Sequence, residues 1–381
     1  MSPLRVLSIF GTRPEAVKMA PVIQALARSP EIEPRICVTA QHRQMLDQVL
    51  SLFGIRPDVD LDLMRPGQTL AQLTAAILTT LDPVLEDLHP DWILVQGDTT
   101  TVMAASLLAF YRHIRIGHVE AGLRTLDRTQ PFPEEINRRI TGVVADLHFA
   151  PTEHSRQNLL KENVPPDSIV VTGNPAIDAL HSILRLPAPP ETQTLLDRLA
   201  IRPGEKQLIL VTAHRRENLG AGLEAICRAL RMLAETYPER LELVYPVHLN
   251  PQVQEPVYRL LSGVSNITLT PPQDYLPMVH LMRHATLVLT DSGGIQEEAT
   301  SLGVPTLVLR EVTERPEGVE AGVLKLVGVD TQRIVRETRR LLEDAQAYQA
   351  MACAANPFGD GHAAERIVTA LLAHSRMGSH A

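Results

Sequence analysis

Short runs of aliphatic and β-branched residues alternate along this chain with longer segments in which apolar residues recur at helical spacing. Such runs are typical of strands in a parallel sheet, and the amphipathic segments between them are typical of the helices that cover it. The pattern therefore predicts an α/β protein with parallel sheets. The predicted strands are Leu4–Phe10, Arg35–Thr39, Trp92–Gln96, Ile114–Val119, Leu147–Ala150, Ile169–Thr172, Leu208–Thr212, Leu241–Val247, Ile267–Thr270, Ala285–Thr290, Thr306–Leu309 and Val323–Val327.

A proline-rich segment, Leu186–Pro190, separates these strands into two groups. Breaks of this composition favour a domain boundary. We expect a first domain over residues 1–185 and a second over residues 186–359, each large enough for a doubly wound sheet.

The composition of the 381-residue chain favours a cytoplasmic enzyme. No apolar run approaches the roughly 20 residues that a membrane-spanning helix needs, and the N-terminus lacks the pattern of a signal peptide. Three cysteines at distant positions exclude a disulfide framework and a cysteine-rich metal site. The formal net charge of −8 argues against nucleic acid as a partner.

The turn Asp291–Gly294 joins a predicted strand to a predicted helix, Ile295–Leu302. Small residues at such a turn leave backbone N–H groups available for phosphate, and the helix dipole favours the negative charge. Glu298, about one turn into the helix, is placed to reach a sugar attached to that phosphate. In the alternative interpretation, Ser292 only caps the helix and Glu298 is a solvated carboxylate.

Charged residues also follow successive strand ends in the first half of the chain, where α/β proteins form their ligand sites. Arg13 and Lys18 follow the first strand, and Asp98, Glu120 and Glu134 lie at or after later strand ends. Three acidic side chains so placed suggest an acid–base site. In the alternative interpretation, Arg13 and Lys18 are ordinary surface cations. Asp98 then only caps a helix, and Glu134 only interacts favourably with a helix dipole.

In the second half, His214 stands directly after a strand and beside Arg215 and Arg216, a setting suited to a phosphate or a leaving group. His248 follows another strand, where a structural role and a ligand role are both open. No set of histidines and carboxylates has metal-ligand spacing, so we predict no required metal.

Together these segments resemble the non-hydrolysing UDP-N-acetylglucosamine 2-epimerases of bacteria over nearly the whole chain. The resemblance rests on the blocks GTRPEAVKMAP, TAQHRQML, VQGDTTT, GHVEAGLRT, PFPEEINRR, VTGNPAID, TAHRREN, YPVHLNP, TDSGGIQEEA and LREVTERPE. It implies a GT-B-like fold, in which two Rossmann-like domains face a central cleft and a C-terminal helix, residues 360–376, completes the first domain. It also implies a homodimer.

The resemblance further implies reversible interconversion of UDP-GlcNAc and UDP-ManNAc, which supplies ManNAc for surface polysaccharides. Because C2 of the sugar is not acidic, members of the family eliminate UDP in an anti sense to give 2-acetamidoglucal. They then add UDP back with the C2 proton on the other face. This chemistry needs no cofactor.

Residues of this chain fall on the functional positions of the family's motifs. The implied catalytic residues are Asp98, Glu120, Glu134 and His214. The implied residues for the UDP-sugar are Arg13, Lys18, Gln273, Met278, Ser292, Gly293, Gly294, Glu298 and Arg315. The carboxylates would supply the base and the acid, with at least one raised pKa, and His214 would stabilise or protonate the departing phosphate.

Some relatives bind a second UDP-GlcNAc as an obligatory activator. The matching positions here are Gln41, Gln44, Glu135, Arg215 and His248. The chain departs from the pattern at Gly67, where activated relatives carry an arginine. Activation by a second substrate molecule therefore stays an open expectation.

Three other functional classes are alternatives. A hydrolysing UDP-GlcNAc 2-epimerase would release free ManNAc and UDP. A GT-B glycosyltransferase would share the nucleotide loop and Glu298 but would need an acceptor, and the acidic residues Asp98, Glu120 and Glu134 argue against it. The filled catalytic positions argue against a non-catalytic UDP-sugar sensor.

Overall fold

Two parallel β-sheets, each formed by a different part of the chain, are the framework of the computed structural model. The structure describes residues 3–40, 43–65, 67–201 and 206–377, and the elements and contacts given below lie within these ranges. The chain divides into two compact units, one comprising Met1–His181 with Phe358–Ala381 and the other comprising Ser182–Pro357. Each unit contains one of the sheets.

The sheet of the first unit has seven strands, and all of its strand pairs are parallel. The strands are β1 (Leu4–Phe10), β2 (Ile32–Val38), β3 (Val59–Asp60), β4 (Trp92–Gln96), β5 (Arg115–Val119), β6 (Leu147–Ala150) and β7 (Ile169–Val171). Their order across the sheet is β3-β2-β1-β4-β5-β6-β7. Every residue of β4 is buried, as expected for a central strand with helices on both faces.

Seven helices of the first unit lie between or after these strands. They are α1 (Arg13–Arg28), α2 (Arg43–Leu52), α3 (Leu70–Leu88), α4 (Thr100–Tyr111), α5 (Glu134–Val144), α6 (Glu153–Lys161) and α7 (Pro175–Ile183). Ile77 and Leu81, about one turn apart on α3, pack with Ile93 and Val95 of β4 in one hydrophobic cluster. The apolar stripe of the helix thereby covers one face of the sheet.

The sheet of the second unit has six strands, again with parallel pairs only. The strands are β8 (Gln207–Thr212), β9 (Leu241–Pro246), β10 (Ile267–Thr270), β11 (Leu287–Thr290), β12 (Thr306–Val308) and β13 (Leu324–Leu326), in the order β10-β9-β8-β11-β12-β13. The helices are α8 (Pro190–Arg198), α9 (Ala221–Thr236), α10 (Pro251–Leu261), α11 (Tyr275–His284), α12 (Gly293–Ser301), α13 (Pro316–Glu320), α14 (Thr331–Glu343) and α15 (Ala345–Ala352). Ile226, Leu230 and Leu233 of α9 pack in one cluster with Leu243 of β9.

The last helix, α16 (Ala363–Met377), belongs to the first unit and packs against α1. Its first backbone N–H groups, those of Ala363 and Ala364, donate to the carboxylate of Asp178 at 3.1 and 2.9 Å. Near its other end, Ser375 accepts a hydrogen bond from the Trp92 indole at 3.0 Å. None of the helices in the described ranges has the length and apolar character needed to cross a lipid bilayer.

The predicted α/β class with two parallel, Rossmann-like sheets is confirmed. The sequence pattern missed β3, because this two-residue edge strand contains no apolar run. Helix α1 is capped at its N-terminus by a side chain of its own first turn. The helix begins at Arg13 because the Glu15 carboxylate accepts the backbone N–H of Thr12 at 2.7 Å and so caps an earlier turn.

Candidate functional site

Both sheets change their direction of strand addition at a central pair of strands, β1 and β4 in the first unit and β8 and β11 in the second. Loops that leave the carboxyl ends of such a pair run to opposite faces of the sheet, and the space between them is the usual ligand site of open α/β sheets. Arg13 and Asp98 follow the pair in the first unit, and His214 and Ser292 follow the pair in the second. Each unit thus gathers its own group of predicted residues at its switch point.

Glu120, which follows β5, is the most strongly held of the acidic residues predicted as catalytic. Its side chain is 6% exposed and accepts hydrogen bonds from Lys18 Nζ at 2.5 Å, from Asn174 Nδ2 at 3.1 Å and from Gln96 Nε2. The backbone of Glu120 has a φ of 62°, a left-handed conformation that is costly for a residue with a side chain. Donors from three separate elements therefore fix this carboxylate in place.

Asp98 follows the glycine turn at the end of β4, and its side chain is 27% exposed. Its Oδ2 pairs with Arg138 Nη2 at 2.7 Å, and its backbone carbonyl accepts a hydrogen bond from Asn137 at 2.9 Å. Burial raises the pKa of Asp98 to about 6, the Arg138 charge opposes that rise, and the charges of Glu120 and Glu134 add to it. The structure thus brings Glu120 and Glu134 close enough to Asp98 for their charges to act on it.

The two adjacent glutamates that begin α5 have different surroundings. Glu134 is half-buried, whereas Glu135 is fully buried and accepts hydrogen bonds from the Thr125 backbone and from Arg139, each at 3.1 Å. Glu135, predicted as a contact for an activator, therefore acts as a structural anchor in this conformation. Arg138, which the sequence analysis missed, lies between Asp98 and Glu135, 3.5 Å from the latter. Its position three residues after Glu135 on the same helix was the available signal.

His118 is a second residue that the sequence analysis missed. It lies in β5, buried, with Nε2 at 2.7 Å from the carbonyl oxygen of Gly97. Burial lowers the pKa of His118 to about 3, so the neutral ring donates its Nε2–H to that carbonyl. The contact fixes the turn that carries Asp98. It joins β5 to the end of β4 through the imidazole of His118.

Arg13 begins α1 and is half-buried at the carboxyl end of β1. The neighbouring Glu15 is buried, accepts the backbone N–H groups of Gly11 and Thr12 at 3.1 and 2.7 Å, and accepts the Thr99 hydroxyl at 2.8 Å. Burial raises the pKa of Glu15, and these hydrogen bonds act in the opposite direction. Glu15 thereby links the loop of Arg13 to the loop that follows Asp98.

In the second unit, Asp291 joins the loops that follow β8 and β11. Its Oδ2 accepts the backbone N–H groups of His214 and Arg215, both at 2.8 Å, and the side-chain amide of Asn218 at 3.1 Å. The ring of His214 stacks on that of His248 with 5.2 Å between centroids and 10° between planes. Burial lowers the pKa of His214; the Asp291 charge opposes that change, and Arg215 and His248 add to it.

Two glycines begin α12 after the N-cap residue Ser292, and they have opposite surroundings. A Cβ atom at Gly293 would lie 2.9 Å from Nη1 of Arg315, so the guanidinium packs directly against the glycine backbone. A Cβ atom at Gly294 would meet no atom within 4 Å among the described residues. Arg315 is itself held by Glu297, whose Oε1 accepts from its Nε at 2.7 Å. The turn therefore presents backbone N–H groups beside a fixed guanidinium.

Glu298 is buried on α12, and its Oε1 accepts the hydroxyl of Tyr275 at 3.1 Å. Gln273 precedes α11 and donates to the carbonyl of Pro271 at 2.8 Å, and Met278 is half-buried on α11. Tyr275 lies between Gln273 and Met278 in the chain, and its contact with Glu298 joins this segment to α12.

Three further positions belong to the predicted activator site. Gln41 lies outside the described residues, Gln44 lies in α2, and Gly67 has a φ of 73°. Within the ranges that the structure describes, no group of three or more histidine, cysteine, aspartate or glutamate side chains is arranged to hold a metal ion.

Comparison with known proteins places the chain among nucleotide-sugar enzymes. Residues 24–372 match the family model described as UDP-N-acetylglucosamine 2-epimerase. The UDP-N-acetylglucosamine 2-epimerase of Yersinia pestis is 58% identical over 97% of this chain and 99% of its own length.

Solved structures give the same result. The UDP-GlcNAc 2-epimerase of Neisseria meningitidis bound to UDP-GlcNAc is 50% identical with a TM-score of 0.89, covering 97% of this chain and 100% of that one. The Methanocaldococcus jannaschii enzyme in complex with UDP-GlcNAc and UDP is 33% identical with a TM-score of 0.81, covering 97% and 99%. On this evidence the chain belongs to the UDP-N-acetylglucosamine 2-epimerase family.

Proposed function

We propose that the protein interconverts UDP-GlcNAc and UDP-ManNAc without hydrolysis, and that it supplies ManNAc for surface polysaccharides. The observation that carries the proposal is the group of three neighbouring acids in the first unit, one of which, Asp98, has its pKa raised to about 6. A carboxyl group with a pKa near the working pH can both accept and release a proton. The names of the relatives support the same substrate.

The proposed reaction is an anti elimination followed by re-addition. A base removes the proton from C2, the bond between C1 and the diphosphate oxygen breaks, and a C1–C2 double bond forms in 2-acetamidoglucal. UDP then adds back to C1 while C2 receives a proton on the opposite face. No net oxidation or reduction occurs, so the reaction requires no redox cofactor.

The proposal assigns the proton transfers to the first unit. Asp98 and Glu134 are each partly exposed, and the charges of Glu120 and Glu134 both act on Asp98, so a sugar ring placed against Asp98 would have further carboxyl groups nearby. Glu120, held by Lys18 and two amides, is the fixed member of the group. Arg138 limits how far the pKa of Asp98 rises, which keeps that group ionised in part near neutral pH.

The proposal assigns the diphosphate to the second unit. The N-terminus of α12 offers the backbone N–H groups of Gly293 and Gly294, with the Arg315 guanidinium beside them. Both features favour an anionic ligand. Glu298 would accept hydrogen bonds from the hydroxyl groups of the ribose. Gln273 and Met278 would lie beside the uracil. His214 would exchange a proton with the departing phosphate.

We also propose that a second molecule of UDP-GlcNAc activates the enzyme. Support comes from the M. jannaschii relative, whose complex contains both UDP-GlcNAc and UDP. Arg215 and the exposed His248 lie beside His214 and are the described positions suited to such a ligand.

A homodimer is the proposed assembly. Phe110 and Tyr111 at the end of α4, and Ile140 and Val143 on the adjacent α5, are exposed apolar side chains, with 85% of Val143 accessible. Large apolar groups gathered on neighbouring helices are typical of protein–protein contacts.

Proton NMR in D₂O, with UDP-GlcNAc and without added metal or acceptor, tests the reaction. We expect deuterium at C2 while the sugar stays attached to UDP, together with signals of UDP-ManNAc. Free ManNAc and UDP would instead identify a hydrolysing enzyme, and absence of exchange would contradict the proposal. Started with UDP-ManNAc alone, the reaction should lag until UDP-GlcNAc is added; immediate turnover would exclude the activator.

The variant Asp98→Asn should lower turnover while raising stability. Loss of one proton-transfer group costs about 10²- to 10⁴-fold in kcat. The folded-state pKa of about 6 lies above the ordinary value of 3.8, so the wild-type fold loses stability as pH rises between these values. The difference corresponds to about 3 kcal/mol of unfolding free energy. The melting temperature of the variant relative to wild type should therefore increase from pH 4 to about pH 6 and then level off.

Asp87→Asn provides the control for that measurement, because Asp87 is exposed on α3, outside the acidic group. Neither its turnover nor the pH dependence of its melting temperature should differ from wild type. An Asp98→Asn enzyme with wild-type turnover would remove Asp98 from the catalytic group.

Gly294→Ala separates UDP binding from folding. The added methyl group enters open space in the ligand-free protein and replaces glycine by a better helix former, so the melting temperature should stay equal or rise slightly. If the diphosphate lies over this turn, the methyl group would keep it away from a backbone N–H, and loss of one hydrogen bond to a charged group, about 1.5–3 kcal/mol, should weaken UDP binding about 10- to 150-fold.

Calorimetric titration with UDP measures this effect, with Gly222→Ala as the matched control. Gly222 also lies in the first turn of a helix of the second unit, and its Cβ would meet Val329 at an ordinary 3.7 Å. Equal UDP affinity in the two variants would contradict the assignment of the diphosphate to α12.

The mass in solution by light scattering tests the homodimer. We expect twice the chain mass for the wild type and a single chain for Phe110→Glu with Val143→Glu, because charges introduced into an apolar contact are desolvated without partners. A monomeric wild type at micromolar concentration would contradict the assembly.

A further inference from the structure

The two carboxylate oxygens of Asp291 have different surroundings. The side chain is fully buried, and Oδ2 accepts the hydrogen bonds of His214 N, Arg215 N and Asn218 Nδ2. Within the part of the chain that the structure describes, Oδ1 has no hydrogen-bond partner, and Nδ1 of His214 lies 3.7 Å away from it. A buried carboxylate oxygen without a donor is costly, so a native fold that retains one requires a reason.

The position of the unpaired oxygen, Oδ1, is fixed by the contacts of the other oxygen. Three donors from the loop after β8 hold Oδ2, and because the carboxylate is planar they also set the position of Oδ1. The imidazole of His214 is held from another side by the parallel ring of His248. A small rotation of His214 would close the 3.7 Å gap to hydrogen-bond distance.

We propose that Asp291 is a positioning residue for His214: its Oδ1 accepts the Nδ1–H of the imidazole, so that the exchangeable proton is carried by Nε2. The identity of the group that shares this Nε2 proton, the β-phosphate of UDP, rests on the proposed function. The tautomer itself does not.

The chemical consequence follows from the two protonation states of histidine. A neutral imidazole carries one N–H, and a carboxylate beside Nδ1 selects the form with a bare Nε2. When the bond between C1 and the diphosphate breaks, the imidazolium gives its Nε2 proton to the departing phosphate oxygen. Re-addition returns that proton to Nε2. The Nδ1–H of His214 stays hydrogen-bonded to Asp291 throughout, as the imidazole does in other histidine–aspartate pairs.

The charges that face His214 make this partner necessary. Arg215 follows it in the same loop and His248 stacks on it, and neither favours an imidazolium. Asp291 is the carboxylate that acts in the opposite direction. Without it, burial and both basic neighbours would hold the ring neutral.

Asp291→Asn tests the proposal while preserving the shape of the loop. The amide oxygen can still accept the three donors, but the amide nitrogen then faces Nδ1 and reverses the tautomer. We expect kcat to fall about 10²-fold or more, with little change in KM for UDP-GlcNAc. The limb of the kcat–pH profile that belongs to His214 should move to lower pH, because a negative charge beside the imidazolium has been removed.

Asn218→Ala is the matched control. It removes one donor from Oδ2 and the hydrogen bond to the Leu309 carbonyl but leaves Oδ1 opposite His214. We expect its kcat to stay within several-fold of wild type and its pH profile to keep the same limb. If Asn218→Ala reproduced the effect of Asp291→Asn, general loosening of the loop would explain both, and the proposal would be wrong.

Nitrogen-15 NMR of histidine-labelled protein reads the tautomer directly, with the His214 signals assigned from a His214→Gln variant. Neutral His214 should carry its proton on Nδ1 in the wild type and on Nε2 in Asp291→Asn. A proton on Nε2 in the wild type would overturn the proposal, even if Asp291→Asn failed to fold. Because this measurement needs no turnover, an inactive wild type would reject the proposed function and leave the tautomer to be decided by the spectrum.

Discussion

Buried carboxylates that accept backbone N–H groups at strand ends are the constraint on which the predicted residue groups of both units depend. Glu15 ties the loop after β1 to Thr99 in the loop after β4, and Asp291 ties the loop after β8 to the end of β11. Removing a carboxylate from water costs several kcal/mol unless hydrogen bonds replace the lost solvation. Each acid is therefore stable only while its two loops keep the observed arrangement, and the switch points are made rigid by this condition.

The first unit also contains a group of acidic side chains, Asp98, Glu120 and Glu134, whose proximity does not serve to join loops. Burial raises the pKa of Asp98, and the nearby charges of Glu120 and Glu134 add to that rise, an arrangement that opposes stability. Lys18 and Arg138 offset part of the repulsion through short ion pairs with Glu120 and Asp98. A fold selected for stability alone would replace such a group with apolar side chains. Its retention in a region otherwise built from apolar strands and helices is the physical argument for a chemical role.

The sequence predicted the strands well because β4 in the first sheet and β8 and β11 in the second are buried on both faces and are largely apolar runs. It also named the residues that follow those strands, since the carboxyl edge of a parallel sheet is set by topology. The sequence did not predict which of these residues contact one another. Asp291 and His214 are 77 residues apart in the chain, and nothing in the turn Asp291–Gly294 distinguishes a residue that orients a histidine from one that only shapes a loop.

Three further contacts were missed for the same reason. His118 lies inside a strand and reads as a core residue, although its ring holds the turn before Asp98. Arg138 reads as a helix-surface cation. Tyr275 shows its contact with Glu298 only when α11 and α12 are placed side by side. Partners that meet through tertiary packing carry no local signal, whereas caps and turns do.

The second unit shows why net charge is a poor guide to the ligand of this protein. The chain carries a formal charge of −8, yet the turn before α12 is suited to a diphosphate. Arg315 is paired with buried Glu297, and Arg310 nearby in sequence is paired with Glu217 and Glu314, so the cations of this region bring almost no excess charge. At the proposed diphosphate site, the attraction for an anion would come from the orientation of fixed donors, which are the N–H groups of Gly293 and Gly294 and the guanidinium held against Gly293. Carboxylates such as Glu297 then act by aiming the donors, and an acidic protein can bind an anionic nucleotide because its acids fix the direction of its cations.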